Sequence, residues 1–139
     1  MSGLAANQAT AASHGVSVDG PEAREVYNTL VALGATRVSS PEGPTVIVDK
    51  VDCLQANADA GRIVAKCKFV GDPKLNLTEG DLALRLVKAL LGVGMKQKVV
   101  DAKTFAVGVT QLECGVLHSA APGADPSAET ASCYLVDNN

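Results

Sequence analysis

Four cysteines and two histidines are the side chains in this 139-residue sequence best suited to covalent or metal chemistry. The cysteines stand at Cys53, Cys67, Cys114 and Cys133, and no two are spaced as C-x-x-C. With only His14 and His118 to supplement them, a zinc site is poorly provided for, and no metal is expected. An even cysteine count in a small chain points instead to disulfides and an oxidising compartment, so the expected localisation is extracytoplasmic, secreted or periplasmic.

Other reaction chemistry is hard to assemble. His118 lies beside Ser119, but neighbours on a strand point to opposite faces, and His14 sits in a polar leader. The Gly92/Gly94 pair falls at a helix end rather than at the N-terminus that phosphate prefers. Asp49, Asp52 and Asp125 lack calcium-loop spacing, and no cofactor motif is present. The sequence therefore reads as a non-enzyme without a cofactor.

Composition narrows the class further. Hydrophobic residues make up 47% of the chain and charged residues 19%, which excludes an intrinsically disordered protein. No apolar run approaches the roughly 18 residues of a membrane-spanning helix. A net charge of −3 gives no global basic field. The Lys96, Lys98 and Lys103 cluster lacks stacking aromatics, so nucleic acid is not an expected partner. With no Trp, two Tyr and two Phe, the core must come from Val, Leu and Ala.

Residues 1–18 are small and polar and read as a flexible leader. They lack the charged and apolar regions of an intact signal peptide, as a mature chain with an added initiator Met would. A single domain is expected over 19–139. Its first helix starts near Pro21, with Ala23, Val26, Tyr27, Leu30 and Leu33 at helical spacing and Gly34 as its stop. Residues 39–44 read as a loop, 45–54 as a strand and 57–61 as a turn. Ile63, Ala65, Cys67 and Phe69 then alternate with Arg62, Val64, Lys66 and Lys68 in a half-buried strand. A second helix is expected after Thr78 as N-cap, with a Leu77/Leu82 staple, ending at Gly92 and Gly94. Strands over 104–117 and 130–136 flank a loop at 120–127.

This order, helix–strand–strand twice, matches an internal correspondence. Val26, Leu30 and Gly34 precede Leu86, Leu90 and Gly94 by 60 positions, and Cys53 precedes Cys114 by 61. Two tandem repeats, about 19–72 and 76–139, are therefore expected. They predict an α+β fold with a four-stranded antiparallel sheet and two helices on one face.

The turns choose a cysteine pairing. A hairpin placing Cys53 opposite Cys67 is centred on residue 60, inside the 57–61 turn. One placing Cys114 opposite Cys133 is centred between Gly123 and Ala124, inside the Pro/Gly loop. Directly opposed, non-hydrogen-bonded residues have Cα atoms about 4.5 Å apart, within disulfide reach. The expected bonds are Cys53–Cys67 and Cys114–Cys133.

On Cys53/Cys67, Cys114/Cys133 and the helix–hairpin order, the expected architecture resembles that of the β-lactamase inhibitory proteins. These are secreted tandem repeats of helix plus antiparallel sheet with one disulfide each. The resemblance implies an inhibitor that grips an enzyme with a sheet face and loops. The chain departs from that family in its shorter repeats and in its few aromatic residues.

What remains to do chemistry is a surface. The expected binding site is the open sheet face around Tyr134, with Val64 and Val136 as apolar neighbours and Arg62 and Lys66 as rim. The two hairpin loops, bearing Asn57, Asp59, Pro122 and Asp125, are expected to project from the same edge. The expected function is a small secreted or periplasmic protein-binding module, monomeric or weakly self-associating, with enzyme inhibition as one form. The alternative is a structural or ligand-carrying envelope protein. Non-reducing peptide mapping should recover only Cys53–Cys67 and Cys114–Cys133; free thiols or a bond joining the halves would overturn the pairing.

Overall fold

The computed structural model describes residues 15–41, 43–57, 61–118 and 129–137. Strand β1 (Gly15–Asp19) leads into helix α1 (Pro21–Leu33), followed by β2 (Arg37–Ser40), β3 (Gly43–Asn57) and β4 (Ile63–Val70). The same order of element types follows with β5 (Leu77–Glu79), α2 (Asp81–Gly92), β6 (Lys98–Asp101), β7 (Thr104–His118) and β8 (Glu129–Asp137).

Both helices start after a glycine and end by a backbone turn. Pro21 occupies the first turn of α1, where its missing N–H costs nothing, and Gly20 ahead of it has φ 101°. Gly34, left-handed at φ 101°, closes the helix by donating its N–H to the Val31 carbonyl, while the Ala35 N–H reaches Leu30. The expected Thr78 cap of α2 is corrected. Thr78 lies in β5, opposite Cys67, and Gly80 with φ 100° takes the cap position. Asp81 then stands in the first turn, where its charge suits the helix dipole.

The four-stranded sheet of tandem helix–strand–strand repeats is also corrected. All eight strands belong to one antiparallel sheet, in the order β1-β8-β7-β3-β4-β5, with β2 beside β3 and β6 beside β7. The four strands that sequence patterning misses, β1, β2, β5 and β6, are three to five residues long. So short a segment shows little periodicity, and its partner, not its own pattern, makes it a strand. Residues 15–18, expected in the flexible leader, belong to β1 and pair with β8 from Gly15↔Val136 to Asp19↔Ser132. The rest of that leader lies outside the described residues.

At the sheet's centre, β3 and β7 pair antiparallel from Thr45↔Gly115 to Ala56↔Thr104. Their alternation slips midway. Val48 and Val51 are both buried, as are Val109 and Leu112, and Gln111 between the latter has φ 57°. On the helix side, Val46, Val51, Cys53, Ala65, Cys67, Phe69, Val107, Cys114, Cys133 and Leu135 join the apolar faces of both helices in one core.

Both expected disulfides lie in this core. Cys53–Cys67 and Cys114–Cys133 are directly opposed in register, with Cα atoms 4.0 and 4.1 Å apart. Each bond lies beneath a helix. Cys133 Sγ is 3.4 Å from the Ala23 carbonyl oxygen and Cys67 Sγ is 3.7 Å from that of Ala83. Ala23 and Ala83 are fully buried, and a longer side chain on those helix faces would have to displace packed atoms.

Two polar links bind the connections. The Arg85 guanidinium in α2 donates two hydrogen bonds, of 2.9 and 3.0 Å, to the Glu25 carboxylate in α1. These bonds hold the Glu25 carboxyl below the usual carboxylate range. Half-exposed, the pair adds little stability. Asp72, after β4, is buried and accepts bonds from Thr36 N–H at 2.8 Å, Thr36 Oγ1 at 3.0 Å and Lys74 N–H at 2.8 Å. Burial alone would push the Asp72 carboxyl up. The bonds from Lys74 and Thr36 outweigh it and hold the carboxyl below its ordinary value.

Asp72 therefore contributes stability above its unfolded-state pKa of about 3.9, and this is lost as pH falls through the lower folded value. Asp72→Ala should cost about 1–3 kcal/mol in urea melts at pH 7 and flatten the stability profile below about pH 4. Deleting residues 1–19 should also cost more than about 1 kcal/mol, because Val16 and Val18 pack against the core.

Candidate functional site

Among the described residues, only one face of the sheet is covered by helices. Alternation sends the side chains opposite the core to the other face, where Ile47, Leu54, Val64, Val70, Leu77 and Tyr134 are between 41% and 58% exposed. Exposed large hydrophobics gathered in a contiguous patch mark an interaction surface, whereas single ones are ordinary.

Tyr134 stands on β8 between Ser17 and Glu113. Its ring lies over Gly15, where an added Cβ would come within 2.5 Å of the Tyr134 hydroxyl oxygen. Beside the ring a shallow depression is lined by Ile47, Asp49, Gln111 and Glu113. Val136 shares the face, in a row with Thr110, Lys50 and Val70. Val64 is 45% exposed and level with Ala56 and Thr104, and Arg62 and Lys66 are exposed on the same side of the sheet. Exposed Asn57 ends β3, its N–H bonded to the Lys103 carbonyl at 2.9 Å. Asp59, Pro122 and Asp125 lie outside the described residues.

The expected site is therefore not one patch. Tyr134 is level with Ile47 on β3 through Glu113, while Val64 is level with Ala56. Nine residues along a strand, at about 3.3 Å each, put the two roughly 30 Å apart. The loops also part company, which corrects their placement on one edge. β3 ends beside the start of β7, and β7 ends beside the start of β3, so the β3–β4 and β7–β8 connections leave from opposite ends of the sheet.

Ile47, Leu54, Val70 and Leu77 are face residues the sequence reading missed. Leu54 was accessible to it: once Cys53 points into the core, its neighbour must point out. Ile47 is hidden in the run Val46-Ile47-Val48, where alternation leaves no polar trace.

The cysteines are all oxidised and offer no thiol nucleophile. Among the described residues no three His, Cys, Asp or Glu side chains gather as metal ligands, and no helix is long and apolar enough to cross a membrane. On the helix side, a groove of about 350 Å³ runs past the Glu25–Arg85 pair, whose charges already satisfy each other.

Fold and face together define a disulfide-bonded α+β domain whose described residues leave one sheet face bare. Comparison with protein-family models, curated proteins and solved structures finds no match. The resemblance to the β-lactamase inhibitory proteins, which rested on the two cysteine pairs and the helix–hairpin order, gains no support from these comparisons.

Mutating the bare face should leave the fold intact. Tyr134→Ala is expected to change stability by less than about 1 kcal/mol in thermal melts, because the ring is 41% exposed.

Proposed function

We propose that this protein is an extracytoplasmic, non-catalytic module that binds another protein through its bare sheet face. The single observation behind this reading is the set of half-exposed aliphatic and aromatic side chains on the face opposite the core. Burying such side chains against a partner yields about 25 cal/mol for each Å². The two disulfides favour an oxidising compartment, secreted or periplasmic. Inhibition of an enzyme is one use of such a module.

A second reading, a structural envelope protein that self-associates by an edge strand, draws on β6. All four of its residues are exposed, Val99 at 73%, and β7 is its one strand partner among the described residues. Sedimentation of the wild type and Val99→Lys separates the two, since only edge-to-edge association would be lost in the variant.

Partner capture from the secreted or periplasmic fraction, followed by titration, tests the main reading. Tyr134→Ala and Leu54→Ser should each weaken binding by at least about 1 kcal/mol. If every face variant binds as the wild type does, the face is not the interface and the reading falls.

A further inference from the structure

The bare face is not uniform in charge. On the half built from β3, β4, β5 and β6, five cations, Lys50, Arg62, Lys66, Lys68 and Lys98, stand with four carboxylates, Asp49, Asp52, Glu79 and Asp101. This half carries one more cation than carboxylates, on a chain whose net charge is −3. Lys50–Asp52 and Lys66–Glu79 are exposed pairs at 3.5 Å, weakly held and easily exchanged. Among the described residues, Arg62, Lys68 and Lys98 enter no ion pair.

The cations flank an apolar strip. One row across the sheet runs Lys66, Leu54, Ala106, Lys98, and the next runs Val64, Ala56, Thr104, Asp101. Directly paired residues point to the same side, so Lys66 and Lys98 border Leu54 and Ala106 on the bare face. Three strand spacings of about 4.8 Å put the lysine backbones roughly 14 Å apart. Resting on the protein-binding reading above, we propose that this strip receives an acidic, extended segment of a partner protein. Aliphatic side chains of the segment sit on Leu54, Ala56 and Val64, and its carboxylates meet Arg62, Lys68 and Lys98.

Width and chemistry favour this occupant over other polyanions. A strip walled by lysines on both sides accommodates one extended chain, whereas a twisted sheet meets a flat lipid surface over little of its area. Among the described residues of this half no aromatic side chain faces outward for base stacking; Phe69 is in the core and Phe105 packs against it.

The test uses the full chain, ¹⁵N-labelled, titrated with a synthetic peptide alternating Leu and Glu. The Leu/Lys peptide, phosphatidylglycerol vesicles and an oligo-dT strand serve as comparisons. The acidic peptide is expected to shift amides over 52–56, 64–68 and 104–108, and to bind more weakly as salt rises from about 0.05 to 0.3 M. The double variant Lys68→Glu, Lys98→Glu should lose more than about tenfold in affinity with an unchanged melt, and Leu54→Ser should also weaken binding. Equal binding of the Leu/Lys peptide, the vesicles or the oligonucleotide, or no binding of the acidic peptide, overturns the inference. Shifts confined to the Tyr134 half overturn it while leaving the bare face as the interface. Shifts confined to the helices overturn both readings.

Discussion

The pairing of β3 with β7 is the constraint on which the rest of the molecule depends. Two fifteen-residue strands lie antiparallel over most of their length. Each has length to spare, so each takes one neighbour on its outer side near one end and another near the other. β2 and β4 share the flank of β3, and β6 and β8 share that of β7. This is how eight strands join one sheet although four of them are too short to stand alone. The same antiparallel geometry sends the two hairpin connections to opposite ends. The slip at Gln111, whose positive φ is uncommon for a side chain of its kind, lies within this pairing and restores both valine rows to the core.

The disulfides extend the constraint outwards. Each ties a central strand to its next neighbour, closing segments separated by 14 and 19 residues. In the chain-entropy account such a loop is worth about 3 kcal/mol. For a core with few aromatics, the sulfurs also serve as packing volume between sheet and helix. Ala23 and Ala83 follow from this: where a bridge presses on a helix backbone, the helix must offer a small residue. The Asp72 cluster joins the α1–β2 connection to the β4–β5 connection without drawing on the core.

Because both helices sit on the disulfide side, all the apolar compensation is spent on one face. The other keeps its aliphatic residues in the open, spaced by lysines, acids and threonines that solvate it. Such interspersed charge lets an uncovered sheet remain dispersed while leaving it able to recognise a partner. The face thus divides into a tyrosine-bearing half and a lysine-walled half, at opposite ends of one continuous sheet surface.

Much of this was legible in the residues themselves. Helical spacing and Gly34 placed α1, period-two alternation placed the long strands, and turn centres at residue 60 and beside Gly123 chose the cysteine partners. These features are local, or become so once a hairpin folds the chain back, and local preference is what side-chain periodicity and turn chemistry record. Four edge strands, the cap at Gly80 in place of Thr78, the count of eight and the opposite exits of the loops were not legible. Each depends on which strand meets which, from the tight β2–β3 and β6–β7 hairpins to β1 against β8 at the far end of the chain, and the same alternation fits several such meetings. Packing both helices and both disulfides into one core selected among them, and that choice also decided which valines, leucines and lysines the chain displays together.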